Sequence, residues 1–229
     1  MLSKNDIKKI RSLAIKKYRD EYGLFVAEGR KTIDELSQHF EIIAQYHGEE
    51  AHKVSLLDTP QDTVAVLKKR TYPLPTLTTS CQSLFLALDN IQNPGNLGTI
   101  IRLADWFGVD DVICSTDSAD IYNPKAVQAT MGSMSRVKVH YTDLIQWLSD
   151  VPHTIPIYGT FLEGKDIRKA TLSSQGIIVM GNEGHGISSE VQTMINHRLF
   201  IPPYPNDINT AESLNVAMAT GITLFAFRR

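Results

Sequence analysis

Short apolar runs alternate with amphipathic segments along the chain, and the alternation becomes regular from residue 84 onwards. The apolar runs within "LFLALD" and "QGIIVMGNEG" are typical of strands that are buried on both faces. Segments of helical period lie between these runs, for example "LGTIIRLADWFG", whose final glycine, Gly108, is a helix-ending residue. The pattern predicts an α/β fold whose mostly parallel sheet is covered by helices on both faces.

The residues before this region predict a smaller α/β unit. Ile7, Ile10 and Leu13 have the spacing of a basic amphipathic helix, and the segments "YGLFVAEG" and "EIIAQYHG" have the character of strands. The segments "RKTIDELSQHF" and "TPQDTVAVLKK" are predicted to be helices. A stretch rich in Pro, Thr and Ser follows without clear periodicity. We therefore expect a small domain at 1–72, a linker at 73–83 and a larger domain at 84–229.

The composition narrows the class of protein further. Hydrophobic residues make up 42% and charged residues 21% of the 229 residues, as in an ordinary globular protein. Cys81 and Cys114 form no metal or redox pattern, and the seven histidines lack zinc-ligand spacing. The charged N-terminus does not resemble a signal peptide, and no apolar run reaches the roughly 20 residues of a membrane span. We expect buried free thiols, no metal, no membrane and a cytoplasmic location.

Charge is unevenly distributed although the formal net charge is only −2. The first 31 residues carry nine lysines and arginines against four acidic residues. This excess is compatible with a solvated helix face and equally with contact to a polyanion.

Three loops rich in Gly, Pro or Asn follow predicted strands, at 89–96, 181–186 and 202–212. Ligands of open α/β sheets bind outside the carboxyl ends of the strands, so these loops are candidate binding segments. The second, "GNEGHGIS", is neither G-x-G-x-x-G nor a P-loop, which disfavours dinucleotides and nucleoside triphosphates.

Polar residues in and near these loops can be interpreted as structural or as functional groups. Glu183 is either a charge at a helix N-terminus or a functional carboxylate among glycines. Arg102 is either the polar face of a helix, with Asp105 as its local partner, or a functional cation. Ser213 is a reasonable N-cap of the last helix, and Asn215 is then a residue of its first turn.

Taken together, the three loops resemble the three motifs of the SpoU/TrmH family of RNA ribose 2′-O-methyltransferases. The matching segments are "NPGNLGTIIRLADWFG", "IIVMGNEGHGIS" and "LFIPPYP…AESLNVAMATGITLF", in this order and spacing. The segment "IRSLAIKKYRDEYGLFVAEG" also looks like the small RNA-binding domain that is often fused to such enzymes. The loop at 203–212 is longer than is common in the family.

The resemblance implies a deep trefoil knot, a homodimer and S-adenosylmethionine held by the knot loops, with the active site completed by the partner. Its implied active-site residues are Asn96, Arg102, Glu183, Ser213 and Asn215. Its implied cofactor contacts are Thr160, Gly181, Ile201 and Leu214. The implied RNA contacts are the basic residues Lys8, Lys9, Arg11, Lys16, Lys17, Arg19 and Arg30.

The implied reaction is methylation of a ribose 2′-hydroxyl in structured RNA. A guanidinium stays protonated in proteins and is a poor general base, so we expect Arg102 to act on the 2′-hydroxyl or an adjacent phosphate. Ribosomal RNA is favoured over transfer RNA. Alternatives are a transfer RNA methyltransferase, a catalytically weak ribosome-assembly factor of the same fold, a base-nitrogen methyltransferase and a generic nucleotide-binding enzyme.

Overall fold

The computed structural model describes residues 2–80, 82–205 and 211–229. Cys81 and half of the lengthened loop, residues 206–210, therefore lie outside the described residues. In chain order the helices and strands are α1 (Lys4–Ser12), α2 (Lys16–Tyr22), β1 (Leu24–Glu28), α3 (Arg30–Ser37), β2 (Ile42–His47), α4 (Gly48–Val54), β3 (Thr63–Lys68), β4 (Leu84–Leu88), α5 (Pro94–Trp106), β5 (Asp111–Ser115), α6 (Pro124–Thr130), β6 (Lys138–Thr142), α7 (Leu144–Ser149), β7 (Ile157–Phe161), β8 (Lys165–Asp166), β9 (Gly176–Met180), α8 (Ser189–Gln192), β10 (His197–Phe200) and α9 (Val216–Phe227).

The larger sheet has seven strands among the described residues, in the order β6-β5-β4-β9-β7-β10-β8, and every pairing in it is parallel. Its central strands β4 and β9 are buried along their whole length, as their unbroken apolar sequences require. The predicted α/β fold with a mostly parallel sheet is confirmed.

The smaller sheet pairs β1, β3 and β2 in that order, with both pairings antiparallel. The predicted helix over "TPQDTVAVLKK" is wrong, because Thr63–Lys68 forms the central strand β3. Five of its six residues are buried, and β-branched residues on such a segment favour a strand. The structure also adds helix α4, which the sequence pattern did not single out.

Contacts between residues divide the chain into two compact units. Unit 1 contains residues 1–72 together with the later segments 93–102 and 119–136. Unit 2 contains 73–92, 103–118 and 137–229. The change of unit after residue 72 coincides with the start of the predicted linker, but unit 1 also recruits two segments from the region that the sequence assigned to the larger domain.

An ion pair inside unit 1 joins the N-terminal region to the segment 119–136. Arg19, which is only 2% exposed, donates from Nε and Nη2 to Asp120 Oδ2 at 2.9 and 2.7 Å. Its Nη1 donates to the carbonyl oxygens of Leu13 and Ala14. Close by in sequence, the ring of Tyr122 lies 4.8 Å from that of Phe25, centroid to centroid. All three nitrogens of the buried guanidinium thus donate hydrogen bonds within the fold.

The predicted linker is anchored within unit 2. Leu77 is buried in an apolar cluster of that unit, and Trp147 Nε1 donates to the carbonyl of Pro75 at 3.1 Å. Cys114 on β5 is a free, buried cysteine, and burial raises the pKa of its thiol well above the usual range. No helix in the described ranges is both long and apolar enough to span a bilayer.

Candidate active site

Four neighbouring strands of the larger sheet bring the candidate loops to one edge. β4, β9, β7 and β10 lie side by side and run parallel, so their carboxyl ends share that edge. The residues that leave this edge are Asp89 after β4, Gly181 after β9 and Ile201 after β10, while Thr160 lies in the last part of β7. The sheet order therefore gathers segments that are up to about a hundred residues apart in sequence.

The loops after β4 and β9 are joined by hydrogen bonds within unit 2. Asn182 Nδ2 donates to the carbonyl oxygen of Asn90 at 2.8 Å, and Glu183 Oε2 accepts from the backbone N–H of Gln92 at 3.2 Å. Asn90 itself adopts a left-handed backbone, with φ of 58°. Glu183 thus holds the loop that leads into α5, a role the sequence pattern did not indicate.

Gly181 is required by the backbone of its own loop. Asn182 and Gly186 exchange two backbone hydrogen bonds at 2.9 and 3.0 Å, which folds the segment between them back on itself. A Cβ atom on Gly181 would fall on the backbone of Gly186 and Ile187, closer than real Cβ atoms approach. The glycine therefore permits the tight return of the chain, whatever its contact with a cofactor.

Helix α5 begins earlier than its sequence pattern indicated, at Pro94. Asn93 Oδ1 accepts from the backbone N–H groups of Gly95 and Asn96 at 2.8 and 3.1 Å, so its side chain caps the helix and proline occupies the first turn. Asn96 consequently belongs to the first turn of α5 rather than to the preceding loop.

Asn96 and Arg102 both lie on α5 but on different sides of it. Six residues of α-helix correspond to about 9 Å along the axis and leave the two side chains about 120° apart. Arg102 is exposed, and within the described part of its own unit its guanidinium forms no hydrogen bond or ion pair. Asp105 belongs to the other unit, and its suggested pairing with Arg102 stays a prediction.

The last helix, α9, is capped by Asn215 rather than by Ser213. Asn215 Oδ1 accepts from the backbone N–H groups of Ala217 and Met218 at 3.0 and 3.4 Å, and α9 begins at Val216. Ser213 lies two residues before this cap and is exposed, as is Leu214. The expected cap was wrong because the helix begins three residues later than Ser213.

The predicted cofactor contacts suit a ligand without phosphate. Thr160 Oγ1 donates to Met180 Sδ at 3.5 Å, which places a hydroxyl between the ends of β7 and β9. Ile201 is half-buried and Leu214 is 51% exposed, so both present apolar surface. Neutral hydroxyl and apolar groups fit the adenosine of S-adenosylmethionine. Because this cofactor has no phosphate, its binding requires no lysine or arginine among the predicted contacts.

The predicted RNA contacts differ in their exposure. Six of the predicted RNA contacts are exposed: Lys8, Lys9, Arg11, Lys16, Lys17 and Arg30. Arg19 is buried in its ion pair with Asp120, so its side chain is not available to RNA in this structure. The part of the chain that the structure describes holds no group of three or more His, Cys, Asp or Glu residues suited to a metal ion.

Two residues with clear roles at this edge were not predicted. Asp89 Oδ2 accepts from the backbone N–H of Ser188 at 2.7 Å, and the side chain is only 6% exposed. Ser115 Oγ accepts from the backbone N–H of Asn90 at 2.8 Å. The signal for Asp89 was its place directly after β4 at the carboxyl edge, where polar residues meet ligands or brace loops.

Comparison with known proteins assigns the family. A family model described as the SpoU rRNA Methylase family matches residues 83–225, and one described as an MRM3-like substrate binding domain matches residues 4–53. The 23S rRNA (guanosine(2553)-2′-O)-methyltransferase RlmP of Bacillus subtilis is 31% identical over 177 residues, which cover 76% of this chain and 68% of the relative.

Further relatives match most of the chain. The 23S rRNA (guanosine-2′-O-)-methyltransferase RlmB of Acinetobacter baylyi is 30% identical over 220 residues, covering 88% of this chain and 86% of the relative. The crystal structure of an AdoMet-bound rRNA methyltransferase from Sinorhizobium meliloti is 29% identical, with a TM-score of 0.87 over 100% of this chain and 96% of that chain. The chain belongs to the SpoU rRNA methylase family.

Proposed function

We propose that this protein transfers a methyl group from S-adenosylmethionine to a ribose 2′-hydroxyl of structured RNA, with ribosomal RNA as its substrate. The observation that carries the proposal is that the chain leaves β4, β9 and β10 at one edge of a parallel sheet, in a chain of the SpoU family. The named activities of the two curated relatives, both 23S rRNA 2′-O-methyltransferases, support ribosomal RNA over transfer RNA.

We assign cofactor binding and action on the RNA ribose to different residues of this chain. When bound, S-adenosylmethionine supplies a methyl group activated by its sulfonium. Thr160, Ile201 and Leu214 hold the cofactor, and Gly181 permits the tight loop beside it. Orientation of the two reactants at close distance contributes much of the rate in such transfers.

Arg102 is the residue that we propose acts at the reacting hydroxyl. Its exposed guanidinium donates to the ribose 2′-oxygen or to the adjacent phosphate, both of which are acceptors that a planar, charged donor recognises well. Glu183 and Asn215 fix the loop before α5 and the start of α9, respectively. Asn96 and Ser213 present further polar groups to the RNA ribose.

The protein is proposed to act as a homodimer through its larger domain, with the C-terminal segment threaded as a trefoil knot. An apolar surface in unit 2 supports the dimer: Met218, Ile222 and Phe225 share one side of α9 and are 40–66% exposed. Trp106, at the end of α5, is 83% exposed. Leu103 on α5 lies 3.4 Å from where a Cβ of Gly221 would be, so the two helices pack closely. We also propose that the chain comprises a small domain at 1–72, a linker at 73–83 and a larger domain at 84–229. The proposed location of the protein is the cytoplasm.

Placing a charge on this apolar surface is expected to separate the dimer. In Phe225→Asp, the desolvated carboxylate opposes burial between protomers, so the molar mass measured by light scattering should fall to that of a monomer. Glu190→Asp, a change at an exposed site away from α9, is the matched control and should leave the mass unchanged. A wild-type chain that is monomeric at micromolar concentration would refute the proposed dimer.

The six exposed basic residues of the N-terminal region are proposed to contact RNA phosphates. Lys9 Nζ lies 4.9 Å from the ring centroid of Tyr22 and Lys17 Nζ lies 5.9 Å from that of Tyr18, so the basic surface also carries aromatic rings. Phosphate contacts release counterions, which makes RNA affinity fall steeply with salt. Arg19 is excluded from this surface because its guanidinium is buried.

Ribose-methylation mapping by mass spectrometry tests the proposed function. We expect one ribosomal RNA nucleotide to lose its 2′-O-methyl group when the gene is deleted and to regain it when purified protein and S-adenosylmethionine are added. In that assay the KM for RNA, but not for S-adenosylmethionine, should rise steeply with salt. Loss of a methyl group from transfer RNA instead would identify the other substrate, and binding of RNA with no methyl transfer would identify an assembly factor.

A further inference from the structure

A cleft lies at the carboxyl edge of the larger sheet, within unit 2, and none of the predicted cofactor contacts lines it. It is about 390 Å³ in volume and is formed by the turns after β4, β5 and β6 together with the segment 182–188. This volume is within the range of small-molecule sites, roughly 300–1,000 Å³. The cleft therefore has room for a ligand beside the segment that carries Gly181 and Glu183.

Three carboxylates are among the polar groups of this cleft: Asp89, Asp117 and Asp143. Asp143 Oδ1 already accepts from the N–H groups of Ile145 and Gln146. Asp89 is buried, and only its Oδ2 has a partner among the described residues, the N–H of Ser188. Asp117, on the turn after β5, is exposed, and neither of its oxygens has a hydrogen-bond or ion-pair partner in the described ranges. A carboxylate only accepts hydrogen bonds, and a buried one is costly unless its capacity is filled. The cleft thus calls for a ligand that presents donors.

Two common ligand classes are disfavoured by the lining. The described lining residues include three carboxylates and no lysine or arginine, so a phosphate group would meet like charge with His185 as its only basic neighbour in the lining. No metal-binding cluster occurs among the described residues, which disfavours a divalent cation. Leu144, Ile145 and Val191 supply apolar surface to the same cleft. A neutral, flat molecule with several N–H donors satisfies both the acceptors and the apolar surface.

We propose that this cleft binds an unpaired guanine base of the RNA substrate; this inference rests on the proposed function. Guanine is the base whose Watson–Crick edge carries two adjacent donors, N1–H and the N2 amino group, which together match both oxygens of one carboxylate. Asp117 has both oxygens available for that pair, and Asp89 has one. Proteins read unpaired RNA bases through this edge and hold their faces against side chains.

The cleft is connected to the candidate active site through its own lining residues. Asp89 fixes Ser188, and Asn182 donates to the carbonyl of Asn90, so the cleft and the loop of Glu183 share one hydrogen-bonded framework. A guanine in the cleft consequently sets the position of the RNA relative to the segment 181–188. The cleft reads sequence, while the basic N-terminal surface binds any RNA backbone.

Nucleoside binding to the full-length protein tests this inference. We expect guanosine, titrated by NMR in the presence of S-adenosylmethionine, to bind about tenfold more tightly than inosine, which lacks the N2 amino group, or 1-methylguanosine, which lacks N1–H. Uridine should bind as weakly as these two. Asp117→Asn should abolish the preference, whereas Asp150→Asn, an exposed carboxylate outside the cleft, should keep it.

Equal affinities for the four nucleosides, or an unchanged preference in Asp117→Asn, would overturn the guanine site. Because Asp117 lies on an exposed turn, its substitution is not expected to impair folding, and circular dichroism checks this. Ribosomal RNA methylation by the wild-type protein distinguishes the two proposals. Methylation without selective guanosine binding refutes only the guanine site, and selective guanosine binding without RNA methylation refutes the RNA substrate.

Discussion

Arg102→Ala is expected to lower kcat for RNA methylation by about 100-fold or more, with the affinity for S-adenosylmethionine unchanged. Removal of one charged donor aimed at a reacting group typically costs 10²–10³-fold in kcat, roughly 2.7–4 kcal/mol. The folded state should tolerate the change, since the Arg102 side chain is exposed. Single-turnover methylation with excess enzyme measures the effect on the chemical step apart from RNA binding.

Replacing Arg102 by lysine distinguishes the effect of the positive charge from that of the planar guanidinium geometry. Arg102→Lys keeps the positive charge but replaces a planar donor fork by a point charge, so we expect it to retain little activity across the pH range. Arg168→Lys is the control, because Arg168 is exposed and its guanidinium is committed to Asp166 at 2.7 Å. Near-normal activity of Arg102→Lys would show that the guanidinium has no special role.

Gly181→Ala is expected to abolish measurable binding of S-adenosylmethionine and to lower the free energy of unfolding by about 1–3 kcal/mol. The added Cβ would fall on the backbone of Gly186 and Ile187, which cannot move aside as a side chain can, and overpacking of this kind typically has that cost. Calorimetric titration measures the loss of binding, and thermal denaturation measures the loss of stability.

Gly184→Ala is the matched control for this change. It lies in the same loop, but the nearest atom to a methyl group added there would be Asn182 Oδ1 at 3.6 Å, an ordinary contact. Its cofactor affinity and melting temperature should remain close to those of the wild type. Comparable losses in both variants would show that general loop rigidity, rather than the close approach at Gly181, controls cofactor binding.

Mixing the two inactive variants tests whether the active site is shared between protomers. A heterodimer of Gly181→Ala and Arg102→Ala chains has one site with both an intact loop and an intact arginine only if these come from different protomers. We then expect the mixture to recover about a quarter of wild-type activity after subunit exchange, as random pairing of two chains predicts. No recovery would place both groups in one protomer.

The elements of the larger sheet were predictable because their apolar runs are unambiguous. The apolar parts of "LFLALD" and "QGIIVMGNEG" are too short and too uniformly apolar for an amphipathic helix, and they form β4 and β9. The segment Thr63–Lys68 was misassigned because a short apolar run fits either a strand or a buried helix when periodicity alone is used. Its place between β1 and β2 decides the matter, and that pairing is not visible in the local sequence.

The positions of the candidate-site loops in the sequence were likewise predictable, but the structural roles of their residues were not. Sequence placed Ser213 and Asn215 at the start of α9, yet which of them caps the helix depends on where the chain turns. Asn182 and Asp89 act on residues that are about ninety or a hundred positions away, through hydrogen bonds to Asn90 and Ser188. Such tertiary partners are set by strand order, which no local pattern encodes.

The Arg19–Asp120 pair has a consequence for shortened versions of this enzyme. A chain that starts after residue 72 would keep Asp120 and Tyr122 while losing Arg19 and Phe25, the groups that cover them. It would expose an uncompensated carboxylate and an aromatic ring that the full-length fold keeps covered. Besides its proposed contact with RNA, the N-terminal region thus covers polar and aromatic groups of the segment 119–136.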